Sequence, residues 1–270
     1  MDRDHSPPIA ERLAARFDRA DGRWTLSNPT FDVLTGVVRA LEAAADPPTI
    51  DVLGRNEALR EFRDDFEVGC RASALIRDDL LRLRVAECDT LSMLLLTPTE
   101  AQVVISLDDY VDLFTITDDD WVGDVSDEIT AEFEAAEAYS VREPPLDEVF
   151  RTASEELGEA FAVDFGAVLE HAAEEGERER FHAVTAALLV GASHGLQNYA
   201  VGRWLEGADV ASTASASRYK TALEERGVIT TEKVEVGLGR PRQRLLLTET
   251  AEQSVADTSL ERFVFEAFDD

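Results

Sequence analysis

Lysine is almost absent from this chain: only Lys220 and Lys233 occur, beside twenty-four arginines. Cysteine is as scarce, and Cys70 and Cys88 cannot build a disulfide framework or a cysteine-rich metal site. Long apolar runs are missing too. The longest nearly uncharged one, Ala183 to Ala192, has ten residues. A bilayer needs about twenty, so no membrane span is expected. No basic segment followed by an apolar one opens the chain, which therefore reads as cytoplasmic. The four histidines, His5, His171, His182 and His194, lack zinc spacing. No glycine-rich phosphate loop follows any expected strand, and no cofactor is expected.

Acid is plentiful. Against 26 Lys+Arg stand 56 Asp+Glu, for a formal charge of −30 over 270 residues. Such a surface suits a salt-loaded cytoplasm, where roughly 1 M salt screens self-repulsion within about 3 Å. The charge is then a solvated halophile surface and not a specific acidic function. It also argues against generic nucleic-acid binding unless the cations are gathered locally. With 44% apolar residues the chain has enough for real cores, and its length fits two domains.

The hydropathy pattern divides the chain. Residues 1–27 form an N-terminal segment with a short helix around Ile9, Leu13 and Phe17. Residues 28–142 read as an α/β domain for sensing or dimerisation. In it, helices are predicted over Thr30–Ala44, over Glu57–Val85 with a break near Gly69, and over Asp127–Tyr139. Strands are predicted at Ile50–Leu53, Ser92–Thr97, Ala101–Leu107 and Tyr110–Thr117. Pro144 and Pro145 mark a linker. Residues 146–250 read as a mainly helical region ending in a winged helix-turn-helix, and 251–270 as an acidic tail or helix. Arg55 and Asn56, after the first predicted strand and at a helix start, are candidates for holding an anionic small-molecule effector; ordinary capping is the competing reading.

The informative stretch is Leu196–Thr248. A short helix to Leu205 is followed by the turn Glu206-Gly-Ala-Asp209. A second helix, Ala211–Arg226, is closed by Gly227. Its first half is small and hydroxylated, its middle carries Arg218 and Lys220, and Ala222-Leu223 is expected to face inward. Two strands follow, Val228–Val236 and Gln243–Thr248, around the tip Gly237-Leu-Gly-Arg-Pro-Arg242. This is the order of a winged helix-turn-helix, whose second helix enters the major groove while the wing touches backbone or minor groove. From Thr213 to Leu247 there are seven cations and four anions, a net +3 in a chain of −30. A polyanionic partner explains why this segment escapes the acidic drift of the rest. The expected DNA contacts are Ser212, Thr213, Ser215, Ser217, Arg218, Lys220 and Thr221 on the helix, with Arg240, Arg242 and Arg244 on the wing. The same order of elements also serves protein-protein contacts, so a sensor or scaffold that binds no DNA stays open. Tyr219 and Trp204 read as packing residues.

One motif invites an enzyme reading. Gly191-Ala-Ser193-His194-Gly195 matches the nucleophile elbow of α/β-hydrolases, but no histidine follows His194, so the triad order of those enzymes is impossible. The chain is not expected to be an enzyme. Asp118-Asp-Asp120 reads as a charged turn.

Arg218-Tyr-Lys-Thr-Ala-Leu-Glu-Glu-Arg-Gly-Val and Gly239-Arg-Pro-Arg-Gln-Arg-Leu, with the α/β region before them, resemble the haloarchaeal TbsP-like transcriptional regulators. The resemblance spans nearly the whole chain. It implies a DNA-binding regulator with a C-terminal winged helix, acting on double-stranded DNA. Through the association of that family with TrmB-type regulators, it also implies a link to central carbon metabolism. A homodimer, paired through helices between 146 and 195, would suit two half-sites.

Overall fold

The computed structural model describes residues 9–17, 22–86, 92–107, 110–175, 182–234 and 242–267. The chain forms two compact units, Met1–Arg142 and Glu143–Asp270.

The first unit is α/β. Its elements run α1 (Ile9–Phe17), β1 (Arg23–Ser27), α2 (Phe31–Ala43), β2 (Thr49–Gly54), α3 (Asn56–Asp64), α4 (Phe66–Arg77), β3 (Leu81–Val85), β4 (Met93–Leu96), β5 (Ala101–Leu107), β6 (Tyr110–Ile116), α5 (Asp119–Ala135) and β7 (Glu137–Ala138). The strands lie in the order β6-β5-β4-β1-β2-β3-β7. β1, β2 and β3 are parallel, and the flanking strands join them antiparallel.

Side chains alternate across a strand, so the sheet has two distinct faces. One face, with Trp24, Leu26, Ile50, Val52, Leu81 and Leu83, packs into a single core with Leu34 and Val38 of α2 and Phe62 of α3. The other face is covered more thinly. There Leu96 and Ala101 meet Val122 and Ile129 of α5, and Leu53 meets Phe133. On this second face Asp51 lies in mid-strand, its side chain only 5% exposed. Arg82, its register neighbour on β3, grips it through two bonds of 2.6 and 2.5 Å, and Arg23 adds a third at 3.3 Å. Burial pushes the Asp51 carboxyl up, to about 6, against the pull of Arg23. A carboxyl at about 6 is ionised at neutral pH, and the Arg82 fork meets that carboxylate with charge-assisted hydrogen bonds.

Several elements depart from the sequence expectations. β1 lies within the segment read as a helix and a loose start. Its alternation, Trp24 and Leu26 on one face, is too short to stand out, yet it is a central strand. The helix expected over Glu57–Val85 breaks at Asp65, not near Gly69. Asp65 closes α3 and caps α4 by accepting from Val68 N at 3.0 Å. That helix also stops at Arg77. Asp79 takes a left-handed φ of 58°, and Leu81–Val85 continues as β3. Leu75, Ile76, Leu80 and Leu83 fit helical spacing, but the strict alternation Leu81-Arg-Leu-Arg-Val fits a strand. α5 starts at Asp119, with Asp118 as its cap accepting from Trp121 N at 3.0 Å, so the acidic run is a helix start and not a free turn.

The second unit is mainly helical. It contains α6 (Leu146–Leu157), α7 (Glu159–Glu175), α8 (Ala183–Ser193), α9 (Asn198–Gly207), α10 (Thr213–Glu225), the hairpin β8 (Ile229–Val234) and β9 (Arg242–Leu247), and then α11 (Glu249–Asp257) and α12 (Leu260–Glu266). α8 is buried on almost every side, which explains its unbroken apolar run. Trp204 of α9 is fully buried; its Nε1 donates to Thr152 Oγ1 at 3.1 Å, and Phe161 and Phe165 pack edge-on against it at 5.4 and 5.6 Å. Among the described residues, no helix is long and apolar enough to cross a membrane.

Two stability measurements follow from these cores. Arg82→Met leaves Asp51 buried without its fork and should destabilise the first unit by about 3 kcal/mol, with most of the loss recovered in the Asp51→Asn/Arg82→Met double variant. Denaturant titration of the two single variants and the double variant reads this coupling. Trp204→Ala removes the centre of an aromatic cluster and should cost the second unit about 3–5 kcal/mol, seen as a lower denaturation midpoint.

Candidate nucleic-acid interface

α9, the turn after it and α10 form a helix-turn-helix. Ser212 caps α10, its Oγ accepting from Ser215 N at 3.1 Å. Gly227 follows the helix with φ +69°, the left-handed geometry that ends a helix and favours glycine. The face α10 turns inward is Ala216, Lys220 and Leu223, at spacings of four and three. The opposite face exposes Thr213, Ala214, Ser217, Arg218, Thr221 and Glu225. β8 and β9 pair from Ile229↔Leu247 to Val234↔Arg242. Leu196 O accepts from Leu245 N at 2.8 Å, and Gln197 bridges to Arg244. The wing is therefore stitched to the segment entering α9, and helix and wing share one framework.

The expected contacts divide into groups. Ser217, Arg218 and Thr221 lie together on the exposed face of α10. The Arg218 guanidinium lies 5.4 Å from the ring centre of Tyr219. Thr221 Oγ1 donates to Ser217 O at 3.0 Å, which keeps an oxygen lone pair outward. Ser212 and Ser215 hydroxyls serve the cap and each other at 3.1 Å, and Thr213 Oγ1 donates to Glu206 Oε1 at 3.3 Å. Arg242 and Arg244 are both exposed. Arg242 donates to Gln197 Oε1 at 2.9 Å and lies over the Tyr199 ring at 5.5 Å. Arg240 and the rest of the wing tip lie outside the described residues.

Lys220 is a correction. It is only 9% exposed, on the inward face of α10, and its Nζ holds Glu224 Oε2 at 2.7 Å. It braces the helix and does not reach outward. Ala222, expected inward, is exposed, while Leu223 is buried.

Most described arginines elsewhere differ from these, Arg60 excepted. Arg12 pairs with Asp112, Arg71 with Glu42 and Glu67, Arg151 with Glu155 and Arg203 with Glu156. Among the described residues no carboxylate pairs with Arg218, Arg226, Lys233, Arg242 or Arg244.

Three supporting residues went unread in the sequence. Gln197 and Tyr199 hold Arg242, and no pattern announces them. His182, just before α8, bonds through Nε2 to the Tyr219 hydroxyl. Burial, with the charge of Arg218 beside it, pulls the His182 pKa down. That favours the neutral ring, whose Nε2 in the Nδ1–H tautomer accepts a hydrogen bond from the Tyr219 hydroxyl. The other motifs resolve into structure. Ser193 ends α8 with its Oγ donating to Val190 O at 2.8 Å, and His194 bonds Asp164 at 2.7 Å, so the elbow match is a helix terminus. Among the described residues no His/Cys/Asp/Glu group is arranged to hold a metal.

In the first unit, a cavity of about 690 Å³ opens where β1 and β2 end, lined by Asn28, Thr30, Phe31, Arg55, Glu61 and Met93 among others. Arg55 borders it at the start of α3 without capping that helix through its side chain. Asn56, the first residue of α3, does not line it.

No curated protein matches the sequence. A solved structure that is similar in part is that of TrmBL2, described as an archaeal chromatin protein with a novel mode of DNA binding: 14% identity, 48% of this chain and 50% of that one, TM-score 0.33. The chain thus spans about half the length of that protein. The profile of the TbsP-like transcriptional regulator N-terminal domain matches residues 4–144, and that of the family's C-terminal helix-turn-helix domain matches residues 145–265. With both halves accounted for, the chain belongs to the TbsP-like transcriptional regulators.

Proposed function

We propose that the chain is a sequence-specific DNA-binding regulator that lays α10 in the major groove and the β8–β9 wing along the flanking backbone or minor groove. The observation that carries this is the set of exposed cations on the helix-turn-helix and wing that no described carboxylate neutralises. α10 is 13 residues long, about 20 Å at 1.5 Å per residue, and a major groove about 12 Å wide admits it. The small residues Ala214 and Ser217 on its exposed face let the backbone approach the base edges closely.

Salt decides how such a contact works. The −30 surface suits a salt-rich cytoplasm, and at molar salt the counterion-release gain shrinks. Affinity then rests on hydrogen bonds to bases and on groove shape, which the hydroxyl and guanidinium groups of Ser217, Thr221 and Arg218 can supply. The first unit is the effector domain in this proposal. Its cavity, bordered by Arg55, takes an anionic metabolite that shifts DNA affinity. Control of central carbon genes is carried by the family resemblance alone. The competing function, a winged helix that contacts protein, draws on one observation: Lys220 and Arg242 already have partners within the chain.

Binding to specific and scrambled duplexes at high KCl separates these. Arg218→Ala should cost about 1–3 kcal/mol on the specific duplex alone if Arg218 reads a base. It should weaken both duplexes alike, and lower the salt slope by about 1, if it holds phosphate. Lys220→Met should leave DNA affinity nearly unchanged, because Lys220 points inward. If the folded Arg218→Ala/Arg242→Ala/Arg244→Ala variant still binds as the parent does, the DNA assignment is wrong.

A further inference from the structure

Tyr199, in the first turn of α9, is 60% exposed. The Arg242 guanidinium lies over its ring at 5.5 Å, and Arg242 donates one N–H to Gln197 Oε1 at 2.9 Å. Gln197 is the residue just before α9, so the wing strand β9 and the start of α9 meet in these three side chains. A packing tyrosine buries its ring and gives its hydroxyl a partner. Tyr199 does neither. Among the described residues its hydroxyl has no hydrogen-bond partner, and Arg242 has none beyond Gln197. Two kinds of donor, one neutral and one charged, are thus left side by side on an exposed surface.

The place of this pair in the motif decides what it can meet. The far end of α9 is tied to α10: Ala211 N donates to Leu205 O at 3.0 Å, and Thr213 Oγ1 to Glu206 Oε1 at 3.3 Å. Tyr199 lies at the opposite end of a helix of 10 residues, about 15 Å long at 1.5 Å per residue. A major groove is about 12 Å wide. With α10 seated in the groove, α9 crosses its rim, and Tyr199 stands over the sugar-phosphate backbone and not over base edges.

The charges nearby allow an anion there. The first turn of α9 holds no acidic residue. One turn further along, Arg203 holds Glu156 of α6 at 2.8 Å. On the wing, Arg242 is the ladder partner of Val234, and Glu232 stands two residues away across from Arg244.

We propose that Tyr199 and Arg242 form a phosphate clamp. Tyr199 Oη donates to one oxygen of a backbone phosphate and Arg242 to the other, while Gln197 steadies the guanidinium. The clamp rests on the DNA-binding proposal above and adds to it a contact from α9, beside those of α10 and the wing. It sets the position of the protein on the duplex and carries no sequence information. Its two donors differ in their response to salt. Arg242 gains by releasing a counterion, whereas the phenol displaces none, so the share of Tyr199 persists where that of Arg242 fades.

Titration of specific and scrambled duplexes with the full chain, over a series of KCl concentrations, tests the clamp, with far-UV circular dichroism to confirm folding. Tyr199→Phe removes one oxygen and keeps the ring under Arg242. It should weaken both duplexes alike, roughly five- to tenfold, and leave the slope of log K against log salt unchanged. Arg242→Ala should also weaken both, and lower that slope by about 1. In the Arg242→Ala background the loss from Tyr199→Phe should shrink, because the two groups grip one phosphate. A Tyr199→Phe variant that binds both duplexes as the parent does overturns the clamp. So does one that weakens the specific duplex alone, which marks a base contact, and so do losses that simply add. A parent that binds neither duplex refutes the regulator proposal and the clamp with it, whereas a parent that binds while Tyr199→Phe changes nothing refutes the clamp alone.

Discussion

A free guanidinium is the scarce resource of this protein. Carboxylates outnumber cations by about two to one, 56 to 26, so an arginine placed at random meets an acid. Most do: Arg71, Arg82, Arg151 and Arg203 each sit on one or two carboxylates. Keeping a cation unpaired in such a chain requires that acids be excluded from its neighbourhood. The structure does this around Arg218 on α10; on the wing Glu232 stands across from Arg244 in the ladder without pairing with it. Small and hydroxylated residues surround Arg218, and Arg242 is steadied by an amide and an aromatic ring, neither of which cancels its charge. The one cation there that does meet an acid, Lys220, is turned inward and serves the fold.

The first unit treats the same scarcity differently. Asp51 is buried in the middle of a sheet, where an unpaired charge would be costly. Arg82 and Arg23 reach it from the neighbouring strands on either side, and Arg82 and Arg84 also lie against the Phe133 ring at 5.0 and 4.9 Å. The parallel register of β1, β2 and β3 brings these residues together. A polar cluster in that place fixes register, because slipping any strand by one residue would send its charged side chain into the apolar core under α2 and α4.

Much of this was legible in the sequence where one physical signal dominated. The charge island between Thr213 and Leu247 and the helix stop at Gly227 pointed to a winged helix. Short alternating strands in competition with helical spacing were harder. β3 is masked because Leu75, Ile76, Leu80 and Leu83 keep helical spacing, while the alternation Leu81-Arg-Leu-Arg-Val runs for only five residues; the left-handed turn at Asp79 separates the two. Lys220 was legible in principle. It stands four residues after Ala216 and three before Leu223, on the stripe that has to face inward, so its spacing marks it as buried although its charge suits a surface position. Gln197 and Tyr199 could not be read, since their role comes from the packing of α9 beside β9.

Salt bears on how the exposed face of α10 can work. At molar ionic strength the long-range attraction between a basic patch and DNA is screened within about 3 Å, while contact between apolar side chains is not screened at all. A regulator in such a solvent gains little from charge steering and more from geometry, that is, from direct contacts at short range. A small, hydroxylated recognition helix is suited to reading bases by contact.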